Sequence, residues 1–286
     1  PDGCTSSDPF IVSVTVNPTG QVDAIDSQIL CNTDETELIS FSTQNTGGTT
    51  TYTWTNDTPG IGLALSGTGD ISPFNVVNNG NEPIIATVVV TPIFEECTGS
   101  TETFTITVNP TPTIEDIDQE ICTGSGISIT PTVGTIPAGT TYSWDAPTSS
   151  PLGAITGGTS GTNETIIAES ELLNSTNSPA ILTYSVTPTT PDGCTSSDPF
   201  IVSVTVNPLG QVDNPGDQEF CNNDNIIINF TTDNTGGSTT FEWTNTNSAI
   251  GLSNSGSGNI NVTATNTTND PITSTVTVTP SFEGCE

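Results

Sequence analysis

The chain of 286 residues contains no lysine, no arginine, no histidine and no methionine. Against that absence stand 32 acidic residues, giving a net charge of −32, so no side-chain ion pair can form anywhere. Each missing residue type removes a class of function. Phosphate neutralisation needs cationic side chains, which excludes nucleic acid as a partner, and an anionic membrane surface is disfavoured for the same reason. Nucleophilic catalysis with a His or Lys base and histidine-ligated zinc are excluded as well. Without lysine there are no Lys–Asn isopeptide cross-links, and without lysine or arginine there is no trypsin-type cleavage site. The longest dense apolar stretch, residues 84–90, falls far short of the roughly 20 residues that cross a bilayer as a helix, which speaks against direct membrane insertion.

What is present points to β-structure. Val, Ile and Thr favour strands, while Gly, Asn, Asp and Pro favour turns. Hydrophobic residues make up 31% of the chain and fall in alternating runs, unlike a disordered acidic tail. Ile39/Phe41, Tyr52/Trp54, Val88/Val90 and Phe104/Ile106/Val108 alternate with polar residues, as do Tyr142/Trp144, Phe200/Val202/Val204/Val206 and Phe241/Trp243. One apolar face per strand, the other mostly Thr and Ser, suits two antiparallel sheets packed face to face, with Trp54, Trp144 and Trp243 in the core. Asn79-Gly80 reads as a hairpin turn.

Internal repetition organises the chain. PDGCTSSDPFIVSVTVNP at residues 1–18 recurs letter for letter at 191–208, and STETFTITVNP at 100–110 echoes its end. This divides the chain into residues 1–18, the C-terminal strand of a preceding repeat, then repeats at 19–110 and 111–208, the latter divergent. Residues 209–286 form a repeat lacking its last strand. Asn45-Thr46-Gly47-Gly48 in the first repeat answers Asn234-Thr235-Gly236-Gly237 in the last.

Each repeat contains a Cys, a Trp about 22 residues later, and a second Cys in a Gly/Asp/Glu-rich turn. The rhythm predicts bridges within repeats: Cys31 with Cys97, Cys122 with Cys194, and Cys221 with Cys285, leaving Cys4 over. Each would close a loop of about 70 residues, worth ~4 kcal/mol by constraining the unfolded chain. Persistent disulfides imply an oxidising, extracellular setting.

The order Tyr/Phe-x-Trp, alternating valine strand, Gly-Cys turn and final Thr/Val strand ending in Asn-Pro resembles PKD-type immunoglobulin-like domains. The Phe-Gly-Asp-Gly that usually follows the Trp is replaced by Thr55-Asn56-Asp57, Asp145-Ala146-Pro147 and Thr244-Asn245-Thr246. YTWTND, IGLALSGTGDI, TVVVTP and FTITVNPTP are similar to repeats of giant Bacteroidetes gliding-motility adhesins. That resemblance implies type IX secretion, anchoring at the outer membrane through other regions, and contact with the gliding machinery. The expected architecture is therefore tandem immunoglobulin-like (PKD-like) β-sandwiches arranged end to end. The expected role is the stalk of a cell-surface adhesin that meets an external surface or polysaccharide, without enzymatic activity. A carbohydrate-binding module and the linker repeats of a secreted hydrolase are the alternatives, the first to be distinguished by an exposed aromatic stripe.

No organic cofactor is expected, and calcium is the one metal the composition leaves open. Asp23 and Asp26, then Glu115, Asp116 and Asp118, then Asp213 and Asp217 gather near the repeat junctions. Solvated acidic turns explain the same clusters more plainly. Paired carboxylates for glycoside hydrolysis would need an aromatic-lined cleft, and the acids are instead scattered over turns and strand ends. Ser66-Gly67-Thr68-Gly69-Asp70 and its counterpart Ser255-Gly256-Ser257-Gly258-Asn259 read as loops.

Overall fold

A computed structural model describes Gly3 and residues 10–286. Pro1, Asp2 and residues 4–9, Cys4 among them, lie outside the described residues. The chain is all-β; its only helical pieces among those residues are the 3-10 turns Pro59–Ile61 and Ser248–Ile250. Two compact units are present, 1–111 and 112–286.

The first unit holds one immunoglobulin-like sandwich built from β1 (Gln28–Cys31), β2 (Thr50–Asn56), β3 (Ser66–Thr68), β4 (Ile84–Phe94), β5 (Cys97–Thr98) and β6 (Glu102–Asn109). Its sheet runs β1-β6-β4-β2-β3, with β5 paired to β4. The pairing is antiparallel except at β1, which runs parallel to β6 with Cys31 opposite Asn109. The facing layer is irregular. The expected Ile39/Phe41 strand is reduced to isolated bridges, Ile39 with Ile71 and Glu35 with Asn75. Ile39, Ile61, Leu63, Ile71 and Val76 nonetheless close the core over Trp54, Val88, Val90, Phe104, Ile106 and Val108. The alternation in β4 and β6 predicts that burial, because side chains of period two point to one face.

The second unit opens with β7 (Thr113–Ile114), β8 (Ile117–Cys122), β9 (Ser125–Ile129), β10 (Gly134–Thr135), β11 (Thr141–Trp144) and β12 (Thr148–Ser150). Then come β13 (Ile155–Thr156), β14 (Gly161–Glu164), β15 (Ile167–Asn174), β16 (Ala180–Thr189) and β17 (Phe200–Asn207). Sheet β14-β11-β16-β17-β8 packs on β13-β15-β9 around Trp144, Tyr184, Leu182 and Val202. Here too the first strand runs parallel to the last, Cys122 opposite Asn207. The same unit continues with β18 (Asn225–Ile228), β19 (Thr239–Asn245), β20 (Ser255–Ser257), β21 (Ile260–Thr263) and β22 (Val276–Phe282). These form the sheets β20-β19-β22 and β18-β21 over Trp243, Phe230, Leu252 and Ile260. Among the described strands β22 pairs with β19 alone, its last residue Phe282 also bridging Cys285, whereas β4 and β16 each also carry a final strand, β6 and β17.

Asn79-Gly80 is not a hairpin turn. Asn78 Oδ1 accepts from the Gly80 N–H, and the loop leads into β4. The two Gly-rich runs expected as loops are edge strands, β3 and β20. A methyl group on Gly67, Gly161 or Gly256 would sit 2.1–2.4 Å from the six-membered ring of Trp54, Trp144 or Trp243. The indole lies flat beneath backbone that only glycine leaves open, and its Nε1 donates to the carbonyl of Gly69, Thr159 or Gly258.

The candidate functional site, a stapled junction between sandwiches

The cysteines do not pair within repeats. Cys122 is bonded to Cys285 across 163 residues, with the two Cα atoms 5.5 Å apart. Cys97 and Cys221 are free thiols, and Cys31 and Cys194 are each disulfide-bonded. The predicted bridges Cys31–Cys97, Cys122–Cys194 and Cys221–Cys285 are therefore corrected. The reason lies in strand direction. Cys122 ends a strand parallel to β17 and sits beside Asn207, the last residue of β17. Cys194 lies in the turn that precedes Phe200, the first residue of β17. Seven strand steps of ~3.3 Å place the two about 23 Å apart, whereas a disulfide needs Cα atoms within about 7 Å. The two cysteines of one sandwich belong to opposite poles, and a bridge joins one pole to the sandwich that follows.

The hairpin that presents Cys285 is built for the task. Glu283 and Gly284 adopt positive φ, the Cys285 N–H returns to the Phe282 carbonyl at 2.8 Å, and Gly210 N–H donates to the Cys285 carbonyl at 3.0 Å. Any side chain on Gly210 would strike the Pro280 carbonyl at 2.6 Å. This ties the entry of the second sandwich to the hairpin carrying its cysteine.

Beside the disulfide a loop of the first sandwich in this unit, residues 174–179, meets the Asn234-Thr235-Gly236 turn of the next. Thr235 N–H donates to the Asn177 carbonyl at 2.9 Å, the Ser178 and Thr235 hydroxyls lie 2.6 Å apart, and Gln211 Nε2 donates to Asn177 Oδ1 at 2.9 Å. Asn174 anchors that loop. Its buried Nδ2 donates both to the Ser178 carbonyl and to the Val206 carbonyl of the last strand. One covalent and three hydrogen-bonded links thus join the two sandwiches. The sequence marked the Cys285 turn and the Asn234-Thr235-Gly236-Gly237 turn but neither the 174–179 loop nor the pairing.

The acidic candidates are placed otherwise. Asp23 accepts from Ser42 Oγ and Gln44 Nε2, bonds that hold its carboxyl below the ordinary aspartate value. Asp213 repeats the first of these contacts with Thr231 Oγ1. Asp116 accepts from the Ile201 N–H. Glu115, Asp116 and Asp118 share a cleft with Ile117, Ile129 and Val133; Asp217 is not among the residues that line it. Among the described residues no three acidic, Cys or His groups converge as a metal site. The carboxylates with defined contacts act as backbone and hydroxyl acceptors that pin turns.

Trp54, Trp144 and Trp243 are each 7% exposed. The exposed large aromatics among the described residues are Phe10 and Phe220, one in each unit.

The sequence profile of the PKD-like domain family matches residues 119–210, the first sandwich of the second unit. No curated protein matches the chain. Among solved structures, an I-band fragment from titin aligns at 10% identity over 88% of this chain and 90% of that one, with a TM-score of 0.39. Human protocadherin-24 aligns at 10% identity over 66% of this chain and 99% of that one, TM-score 0.32. The human desmocollin-1 ectodomain aligns at 13% identity over 93% of this chain and 58% of that one, TM-score 0.30.

Proposed function

We propose that this chain is a non-catalytic, load-bearing repeat segment of a secreted cell-surface adhesin. The observation that carries the reading is the Cys122–Cys285 staple with its flanking hydrogen bonds. A tether between whole sandwiches adds nothing to a catalytic site, but it shortens the path that tension takes through the chain. Disulfides of this kind persist in oxidising compartments, which supports an extracellular location. The uniform negative charge supports solubility and discourages lateral association.

At the finer level, the repeats are similar to those of the gliding-motility adhesin SprB. The proposed setting is an outer-membrane-anchored adhesin exported by type IX secretion and moved by the gliding machinery through other regions, with an external surface or polysaccharide as its target. Burial of the three tryptophans weighs against the carbohydrate-module alternative, which stacks sugars on exposed rings. Linker repeats of a secreted hydrolase would share every feature described.

Pulling a single molecule by its ends tests the load-bearing role. With the disulfide intact, residues between Cys122 and Cys285 cannot extend. Reduction should release up to 163 residues of hidden length, roughly 550 Å at ~3.4 Å per residue. Identical force–extension curves before and after reduction would remove the basis for the proposal.

A further inference from the structure

The sandwich that contains Trp144 departs from the other two directly after its tryptophan. In the first sandwich β2 pairs with β4 without interruption from Thr50 to Asn56, and in the last β19 pairs with β22 from Thr239 to Asn245. β11 keeps that ladder only as far as Trp144, opposite Val186. Pairing with β16 resumes at Thr148, opposite Thr183. Asp145, Ala146 and Pro147 therefore stand against Ser185 and Tyr184, three residues against two, which makes a β-bulge. Pro147 has no N–H to return to the ladder. The other flank of β11 slips at the same point. Tyr142 faces Glu164 but Trp144 faces Gly161, so Thr162 and Asn163 of β14 stand against Ser143 alone. The corresponding pairs, residues 53–55 with β3 and 242–244 with β20, keep their register.

Around the two slips the sheet opens into a cleft of about 430 Å3, within the range of small-ligand sites. Thr183, Ser185 and Thr187 line it along β16, alternating with the core residues Leu182, Tyr184 and Val186. The bulge residues Asp145, Ala146 and Pro147 line it as well. The bulge is fixed by packing: a methyl group on Gly158 would meet Pro147 Cγ at 2.6 Å and Leu182 at 3.0 Å. On the β14 side Asn163 takes a φ of 56° and its N–H donates to Ser143 Oγ at 3.0 Å. Glu169 accepts from the Thr159 N–H at 2.7 Å and so holds the approach to β14. A cleft shaped in advance loses little conformational freedom when it is filled.

The polar groups of the cleft are left open to a ligand. Among the described residues, neither the Asp145 carboxylate nor the hydroxyls of Thr183, Ser185 and Thr187 make a hydrogen bond within the protein. Asp57, in the loop after the tryptophan of the first sandwich, instead accepts from the Thr87 N–H and Thr58 Oγ1. We infer that the cleft binds a neutral saccharide. Ser and Thr hydroxyls donate and accept, as sugar hydroxyls do, and the Asp145 carboxylate accepts charge-assisted bonds from two of them at once. Ala146 and Pro147 supply apolar contact for the C–H faces of the ring.

Other ligand classes fit less well. Uronates and sulfated or phosphorylated sugars meet a chain of net charge −32 without one cation. An apolar ligand would cover the hydroxyls and the carboxylate without pairing them. Trp144 is 7% exposed and offers no face for stacking, so recognition here runs through hydrogen bonds and differs from that of a ring-stacking module. The inference rests on the adhesin reading for its target and gives the polysaccharide a place on the chain. The load-bearing role depends on the Cys122–Cys285 staple instead, so force–extension curves unchanged by reduction would remove that role and leave this site standing.

The test is a titration of the isotope-labelled full chain followed by amide NMR shifts. The probes are neutral tetrasaccharides of glucose, mannose, galactose and N-acetylglucosamine, with tetragalacturonate and tetraglucosamine as the anionic and cationic counterparts. A site without a stacking ring calls for a Kd on the order of 1 mM, so each probe is taken to about 10 mM. At least one neutral probe should shift the amides of Ser143, Asp145, Ser185 and Thr187 to saturation, while Thr53, Thr55, Glu242 and Thr244 at the corresponding places stay unmoved. Asp145→Asn, at an exposed position, should weaken that binding at least about tenfold. Ser185→Val suits a strand and should abolish it by filling the cleft with methyl groups. The remaining amides of both variants should keep their shifts, which separates a lost site from a lost fold. Four results would each overturn the inference: no saturating shift from any neutral probe, shifts spread equally over the three sandwiches, tighter binding of tetraglucosamine than of every neutral probe, or undiminished binding by both variants.

Discussion

Trp144 concentrates several requirements at one position. Its ring is buried under Gly161, its Nε1 donates to the Thr159 carbonyl at 2.8 Å, and Tyr184 meets it edge-on at 6.3 Å. Trp144→Ala should cost about 3–5 kcal/mol through lost burial and the cavity left behind, read as a lower denaturation midpoint. Gly161→Ala should also destabilise, since its methyl would lie 2.4 Å from the indole, and Trp144→Phe should relieve part of that cost. Tyr184 itself donates to Glu169 Oε1 at 3.2 Å. Burial, and then the adjacent Glu169 charge, push the phenol well above its ordinary value. Tyr142 and Tyr52 shift upward too, chiefly through burial. The folded chain therefore keeps protons that the unfolded chain sheds near pH 10. The stability they contribute is complete below that pH and is lost as pH rises through the folded values. Denaturant midpoints should fall steeply above pH 10, and Tyr184→Phe should flatten the fall. A limb unchanged by that substitution would show that Tyr184 is not the group responsible.

At the scale of elements, strand alternation made the core readable. Val88, Val90, Phe104, Ile106 and Val108 are buried because a period of two puts them on one face. The facing layer of the first sandwich was less legible, because residues 35–41 are held by isolated bridges and an Asp70 acceptor for the Phe41 N–H rather than by a ladder. The glycine strands were missed because Ser-Gly-Thr reads as loop until the indole beneath it is known. The disulfides were misassigned because one cysteine pair per repeat fits pairing within a sandwich and pairing with the next equally well. Only the parallel strand β8, which carries Cys122 to the far end of β17, decides between them. The asparagine that begins each polar loop supplies a prediction here. Asn174 is 9% exposed and satisfies two carbonyls; Asn174→Ala should cost about 1–3 kcal/mol by leaving them unpaired. Asn266→Ala removes one such bond at an exposed position and should cost less. Equal losses would mean that the bond to the final strand contributes nothing.

For the molecule as a whole, the decisive quantity is a charge of −32 with no cation to offset it. Where carboxylates have defined partners, these are hydroxyls, amides and backbone N–H groups: Asp23 with Ser42, Asp57 with Thr87 and Thr58, Asp213 with Thr231. Such bonds favour the ionised form and hold Asp23 and Asp57 below the ordinary value. Their contribution is present above the unfolded aspartate value, near pH 4, and fades as pH falls through the lower folded values. Repulsion among the remaining carboxylates acts at every pH where they are ionised, and acts more on the compact chain than on the expanded one. Mobile counterions screen it over about 10 Å at 0.1 M salt and about 3 Å at 1 M. The melting temperature should therefore rise between 10 and 500 mM NaCl and then level off. Calcium and magnesium chloride at matched ionic strength separate diffuse screening from a specific site. Screening alone predicts that the two divalent salts act alike. A calcium-selective rise saturating at micromolar concentration would instead require a bound ion, and substituting Glu115, Asp116 and Asp118 would locate it. Because trypsin has no residue to cut, folded and unfolded chains should survive it equally, so proteolytic versions of this titration need a glutamate- or aromatic-directed protease.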